Sequence, residues 1–245
     1  MSHARKRRLF SISIFILVLL LSVYLFLHSA IFKADRVYAS GMVKVSQAEI
    51  LALAGINSGQ NIFAVDAALV SKAVQTHPMI KRADMVRHLP HDLEIKIVER
   101  QVWALVPYQN IMLFLDDEGV CIDRVAGVSI QDYPLITMDL LPERVNLGQA
   151  VYPAAVQQIK MIWDSMGEER KNISEFHYRT SSDEILMYTQ AGTEIRFGKM
   201  ERLDEKLTYI KAVFTMEKDM KKEGHEALEY VDISFDGEPV MKTKV

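Results

Sequence analysis

Ser46-Gln47-Ala48-Glu49-Ile50-Leu51-Ala52-Leu53-Ala54-Gly55 and, further along, Leu93-Glu94-Ile95-Lys96-Ile97-Val98 decide the fold class. In the first, Ser46 and Glu49 have the spacing of a capping box, in which each side chain bonds the other's backbone N–H. Ile50, Leu51, Leu53 and Ala54 then supply the apolar positions of a short helix, and Gly55 closes it in the conformation glycine adopts most cheaply. In the second, Leu93, Ile95 and Ile97 alternate with Glu94, Lys96 and Val98, the period of a half-buried strand. Between them, Asn57-Ser58-Gly59-Gln60-Asn61 reads as a turn. Asp66 caps a second helix bearing Leu69, Val70, Ala73 and Val74, which ends at His77-Pro78 because a residue before proline avoids the α region. Ile80 to Arg87 is a further strand, with Ile80, Ala83 and Met85 or Val86 as core positions, turned at Leu89-Pro90-His91-Asp92. Arg36 to Ala39, ended by Ser40-Gly41, is a strand before the helices. The order β-α-α-β-β predicts an α+β module with two helices on one face of a small sheet.

Upstream of this module, Arg5, Lys6, Arg7 and Arg8 precede a run from Leu9 to Phe32 free of Asp, Glu, Lys and Arg. As a helix the run reaches roughly 36 Å, against about 30 Å for a hydrocarbon core. It is longer than a signal-peptide core, and His28-Ser29-Ala30 puts His where cleavage wants a small residue. The basic flank retains the N-terminus in the cytoplasm and sends the rest of the chain across. The expected organisation is a basic tail at 1–8, a transmembrane helix at 9–32, the first module at 33–104 with the join around Gln101 to Ala104, and a second domain at 105–245.

That second region is predicted as a mixed β domain with two helices. Ile111 to Leu115 and Val120 to Val125 form a hairpin around Asp116-Asp117-Glu118-Gly119. Pro134 to Met138 and Val145 to Val151 are short strands. Pro153 opens a helix carrying Val156, Ile159, Ile162, Trp163 and Met166. Ile173 to Tyr178, Ile185 to Thr189 and Thr193 to Phe197 are strands. A long helix from Met200 to Lys222 has Leu203, Leu207, Ile210 and Phe214 on one stripe and charges elsewhere. Tyr230 to Phe235 is a strand, Asp236-Gly237 a hairpin signal, and Val240 to Lys242 a last strand.

The formal charge is −3, and setting aside the four positive charges of Arg5 to Arg8 leaves −7 for the remainder. That sign disfavours nucleic acid and anionic lipid surfaces as partners. Cys121 is the only cysteine and reads as a small strand hydrophobe. His88 and His91 have a metal-compatible spacing, but no second Cys, His or acidic pair nearby completes a site. Asp116-Asp117-Glu118-Gly119 lacks the alternating oxygen ligands of a calcium loop. His225-Glu226 does not extend to a zinc-protease motif, and Asn172-Ile173-Ser174 is a glycosylation pattern common by chance. No nucleotide-binding or nucleophile-elbow motif is present. The expectation is a non-enzymatic binding scaffold with no cofactor, metal or catalytic residue.

Several stretches together resemble the FtsQ/DivIB proteins of the bacterial divisome. They are Val45 to Ile50, Ala54-Gly55-Ile56, Gly59 to Asp66, His77 to Ala83, Arg87-His88-Leu89-Pro90, and Leu93 to Arg100. These are similar to a polypeptide-transport-associated (POTRA) domain in its division-protein variant. The closing motif stands here as Glu99-Arg100-Gln101-Val102-Trp103-Ala104, with one residue added before Ala104. Leu115 to Gly119, Phe197-Gly198-Lys199 and Tyr230 to Ile233 resemble later landmarks of the family.

The resemblance implies a bridging scaffold in the cell inner membrane at the division septum. Its outer domain would bind small single-pass coiled-coil partners of the FtsB/DivIC and FtsL kind and regulate septal peptidoglycan synthesis. It also implies that a partner adds a strand to the C-terminal sheet edge, here assigned to Phe235, Gly237, Val240 and Met241. Phe235 matches an aromatic family position, whereas the later aromatic has no counterpart and Met241 is nearest. The exposed strand Arg36 to Ser40 is the expected contact for polytopic septal synthesis proteins. Two competing readings are a POTRA-containing transport or assembly component, which usually carries several such copies and a β-barrel, and a cell-wall hydrolase.

Overall fold

The computed structural model describes residues 3–127, 133–223 and 227–244; His225-Glu226 and the side chains of Arg5 to Arg8 lie outside what it describes. The chain divides into two compact units, Met1–Glu99 and Arg100–Val245.

The first unit opens with α1 (His3–Leu27) and continues through β1 (Arg36–Ser40), α2 (Gln47–Ala54), α3 (Ala67–Val74), β2 (Ile80–His88) and β3 (Asp92–Glu99). The strands lie in the order β1-β3-β2, with β1 parallel and β2 antiparallel to β3. The capping box forms: Ser46 N donates to Glu49 Oε2 at 3.0 Å and Glu49 N to Ser46 Oγ at 3.3 Å. Gly55 takes the left-handed conformation at φ 61°, and Asp66 Oδ1 accepts from Ala68 N and Leu69 N. Ile50, Ile62, Val74, Ile80, Leu93 and Ile95 fill the core. Glu99 ties the β1–α2 loop down, accepting from the N–H groups of Val43, Lys44 and Val45 at 2.9–3.0 Å. Desolvation pushes its carboxyl up, but these three donors prevail and hold it below the ordinary glutamate range.

The apolar run and the helix do not end together. The run continues to Phe32, but α1 stops at Leu27, where the Asn61 side-chain amide donates to the Leu27 carbonyl at 2.7 Å. Phe32 sits in a short 3₁₀ turn and belongs to the core of the folded unit, its ring edge-on to both Phe26 and Phe63. Hydropathy alone cannot separate a lipid-facing residue from one that packs against its own chain.

The second unit holds β4 (Ala104–Tyr108), β5 (Ile111–Leu115), β6 (Cys121–Val125), β7 (Ile136–Met138), α4 (Pro153–Met166), β8 (Ile173–Arg179), β9 (Glu184–Thr189), β10 (Glu194–Gly198), α5 (Leu203–Glu223), β11 (Leu228–Asp232) and β12 (Val240–Thr243). One sheet has the order β4-β5-β6, the other β12-β11-β10-β9-β8-β7. β4 was not anticipated: Ala104, Leu105 and Val106 are all buried, so no alternation betrays the strand, and Pro107 lies within it. Val145 to Val151 is a turn rather than a strand. Gln149 N bonds Asn146 O, and Gly148 (φ 81°) donates to Cys121 O. Val145 and Val151 are buried from that turn.

Ile159 and Ile162 of α4 and Ile210, Val213 and Phe214 of α5 share one core with Phe176, Met187, Ile195, Phe197 and Val231 of the sheet. Asp116 is fully buried, accepting from Glu118 N and Val120 N while Arg100 bonds its other oxygen, so the acidic tip is a closed, charge-paired turn.

Candidate partner-docking edge

β12 is the outermost strand of the six-stranded sheet, and among the described residues its only sheet neighbour is β11. All four of its residues are exposed. The pairing runs Asp232↔Val240, Val231↔Met241, Tyr230↔Lys242 and Leu228↔Thr243. Lys244 N donates inward to Ala227 O at 2.8 Å. Backbone direction alternates along an antiparallel strand, so Lys242 also faces β11, whereas Met241 and Thr243 present their N–H and C=O groups to the open side. Side chains alternate as well: Met241 lies opposite buried Val231, on the helix-covered face, and Val240 and Lys242 lie on the other face with Tyr230 and Asp232.

That second face carries the charge near the edge. The Arg196 guanidinium stacks 4.0 Å from the Tyr230 ring centre, and Arg196 Nε is 2.7 Å from Glu194 Oε1. Lys242 Nζ crosses to Glu229 Oε2 at 2.7 Å, a bond that holds the ammonium above the ordinary lysine range. The hydrogen bond that Arg196 donates to Glu194 raises its guanidinium in the same way. Arg179, Arg196, Glu184, Asp232 and Ser234 line an open depression of about 400 Å³ on this face.

Phe235 and Gly237 do not lie on the edge strand. β11 ends at Asp232 and β12 begins at Val240, so both occupy the loop between them. The two-residue hairpin expected at Asp236-Gly237 is replaced by this longer connection, because buried Ile233 and the Asp232 turn take up the intervening chain. Asp232 Oδ1 accepts from Ser234 N at 3.0 Å and Ser234 Oγ at 2.6 Å. Arg202, at φ 54°, latches the loop to the start of α5: its guanidinium bonds the Phe235 carbonyl and lies 2.8 Å from Asp236 Oδ1. Phe235 keeps 42% exposure on this tethered loop, beside Val240 at 49% and Met241 at 48%.

Two residues beneath the loop have roles that the sequence alone leaves undefined, Gly198 standing there only within the Phe197-Gly198-Lys199 landmark. Gly198 (φ 72°) has no room for a side chain, since a Cβ would fall 2.7 Å from the Cβ of Ser234. Lys206, expected among the solvated charges of α5, is 1% exposed. It donates to the carbonyls of Phe197 and Lys199 at 2.7 and 2.8 Å and lies over the Phe197 ring. Burial pushes its ammonium below the ordinary lysine range. Its position between Leu203 and Ile210 puts it on the apolar stripe, the one signal by which the sequence could have flagged it.

Elsewhere, His88 pairs with Glu94 at 2.7 Å and His91 with Asp92 at 3.0 Å, so the two imidazoles serve different carboxylates. Cys121 is buried, which pushes its thiol up.

Comparison with known proteins places these features in context. Residues 32–100 match the model of the FtsQ-type POTRA domain, and residues 104–234 match the C-terminal domain of the cell division protein FtsQ/DivIB. The chain is 26% identical over 217 residues to a cell division protein FtsQ from Geobacter sp. (strain M21), covering 87% of this chain and 77% of that one. It is 25% identical over 211 residues to a cell division protein DivIB from Bacillus subtilis (strain 168), covering 84% and 75%. Against a DivIB from Clostridium botulinum the identity is 22% over 242 residues, covering 96% and 91%.

Proposed function

We propose that this chain, which belongs to the FtsQ/DivIB cell-division family, acts as a non-catalytic docking platform whose β12 edge receives an added strand from a partner. The partners are small single-pass coiled-coil division proteins of the FtsB/DivIC and FtsL kind, and the consequence of docking is regulation of septal peptidoglycan synthesis. The observation that carries this is the exposed β12, which turns the backbone of Met241 and Thr243 outward at the end of an otherwise packed sheet. An open edge of this kind is ordinarily blunted, so a maintained one serves pairing. Phe235 and Val240 supply apolar contacts beside it, and Gly237 (φ 125°) lets the intervening loop turn.

In this reading residues 1–8 are a cytoplasmic tail, α1 crosses the cell membrane once, and both folded units stand outside it at the septum, the first of them ending at Glu99 rather than at the expected 104. The Phe10–Leu27 segment fits a single pass. β1, the outer strand of the β1-β3-β2 sheet, is the surface offered to polytopic septal synthesis proteins. The test is capture of a purified FtsB/DivIC-type partner by the full chain in detergent. Wild-type protein retains it, Phe235→Glu weakens it, and unchanged affinity in that variant removes Phe235 from the surface.

A further inference from the structure

The end of the POTRA unit nearest α1 carries an apolar rim that docking at β12 does not use. Between the basic Arg5 to Arg8 and its end at Leu27, α1 has 19 uncharged residues, Leu9 to Leu27, about 28 Å of helix against about 30 Å of hydrocarbon. The span therefore has no slack, and Leu27 lies at the hydrocarbon boundary. The folded unit begins at that point: Asn61 bonds the Leu27 carbonyl, Leu27 packs against the core, and the rings of Phe26, Phe32 and Phe63 follow edge-on at 5.3 and 5.1 Å. The β2–β3 turn reaches the same end, because Arg36 at the start of β1 pairs with Asp92 and Asp35 N bonds His91 O. Three large apolar side chains are exposed there: Ile31 at 55%, Phe63 at 43% and Leu89 at 64%.

We infer that Ile31, Phe63 and Leu89 form an apolar foot that beds into the interfacial layer of the outer leaflet crossed by α1 and fixes the height and tilt of the POTRA unit. The inference rests on the reading of α1 as the membrane span. The occupant is the phospholipid interface itself, since a side chain within about 5–10 Å of the hydrocarbon boundary meets headgroups and upper acyl chains. Apolar burial drives it more than headgroup charge: Arg36 is engaged with Asp92 at 2.5 Å and Arg87 with the carbonyls of Ile62 and Val65, which leaves exposed Lys33, one residue past Phe32, as the cation that can meet a headgroup. Val43, 86% exposed, follows the far end of β1, about 17 Å along the strand, and stays in water.

The test uses the full chain with Cys121→Ala, reconstituted in phosphatidylcholine nanodiscs. A bimane is placed in turn at Phe63→Cys, Leu89→Cys, Val43→Cys and Leu19→Cys and quenched by lipids carrying a nitroxide near the headgroup or deep in the acyl chain. The expected result is strong deep-probe quenching at 19, headgroup-probe quenching at 63 and 89 severalfold above that at 43, and a change of less than about twofold when anionic lipid is added. Leu89 lies in an exposed turn, so its variant keeps the test valid if Phe63→Cys loosens packing. Quenching at 63 and 89 equal to that at 43, with 19 still quenched, overturns the foot and leaves the span intact. Absence of quenching at 19 overturns the span, and the foot with it.

Discussion

Replacing Met241 by proline separates the backbone of β12 from its side chains. The outward N–H of Met241 is the donor that an added strand needs, whereas pairing with β11 runs through the inward groups of Lys242 and Lys244. Proline at 241 removes only the outward donor, and an edge strand tolerates it there. Met241 and Thr243 together offer about two donors and two acceptors, each hydrogen bond contributing a net ~0.5–1.5 kcal/mol. Deleting one donor strands a partner carbonyl in a dry interface, so the whole cost is that of the unsatisfied group, about 1–3 kcal/mol. The expected loss is therefore roughly 5- to 150-fold in Kd. Calorimetric titration of the full chain with the partner's extracytoplasmic segment reads this directly. Met241→Leu keeps the N–H and should bind within about twofold of wild type, a difference of under ~0.5 kcal/mol. Both variants should unfold at the wild-type urea midpoint. A folded Met241→Pro protein that binds as wild type would refute strand addition at β12.

Other outcomes follow from the same contacts. Gly198→Ala should cost about 2–3 kcal/mol, because it combines a strained positive φ with a clash against Ser234; the shifted loop should also weaken partner binding, measured by urea unfolding and titration in parallel. Lys206→Met leaves the buried carbonyl of Phe197 and the part-buried carbonyl of Lys199 without their donor and should lose about 1–3 kcal/mol, seen as a lower urea midpoint for the second unit. Acid should act first on the POTRA unit. Arg36 holds Asp92 low, Ser40 and His88 hold Glu94 low, and the backbone donors of the β1–α2 loop hold Glu99 low despite desolvation. Carboxyls depressed in the folded state contribute stability fully present above their unfolded values near pH 4 and lost as pH falls through the native ones. Urea midpoints should therefore hold from pH 7 to about 5 and drop below about 4, a drop that Glu99→Gln should reduce; a flat profile to pH 3 would contradict these pairings.

Local signals were legible where one residue's chemistry sets its own backbone. The Ser46–Glu49 box, the Gly55 stop, the Asp66 cap and the Leu93–Ile97 alternation all formed as read, because capping, positive φ and period-two burial are decided within a few residues. The failures had nonlocal causes. β4 was missed because burial on both faces erases alternation, and Val145 to Val151 was misread because burial from a turn mimics burial from a strand. Phe235 and Gly237 were placed on the edge because Asp236-Gly237 resembles a tight turn, whereas the Asp232–Ser234 contacts and the Arg202 latch impose a longer loop.

What the chain determined by itself was the inventory: a membrane-length apolar helix, an α+β module, a mixed β domain, and the family pattern they share. What only the tertiary structure decided was which strand lies outermost, which backbone groups turn outward, where the apolar run leaves the helix for the core, and that Lys206 is buried. Edge position and burial depend on the partners an element finds across the fold, and strand order is set by packing between segments far apart in sequence.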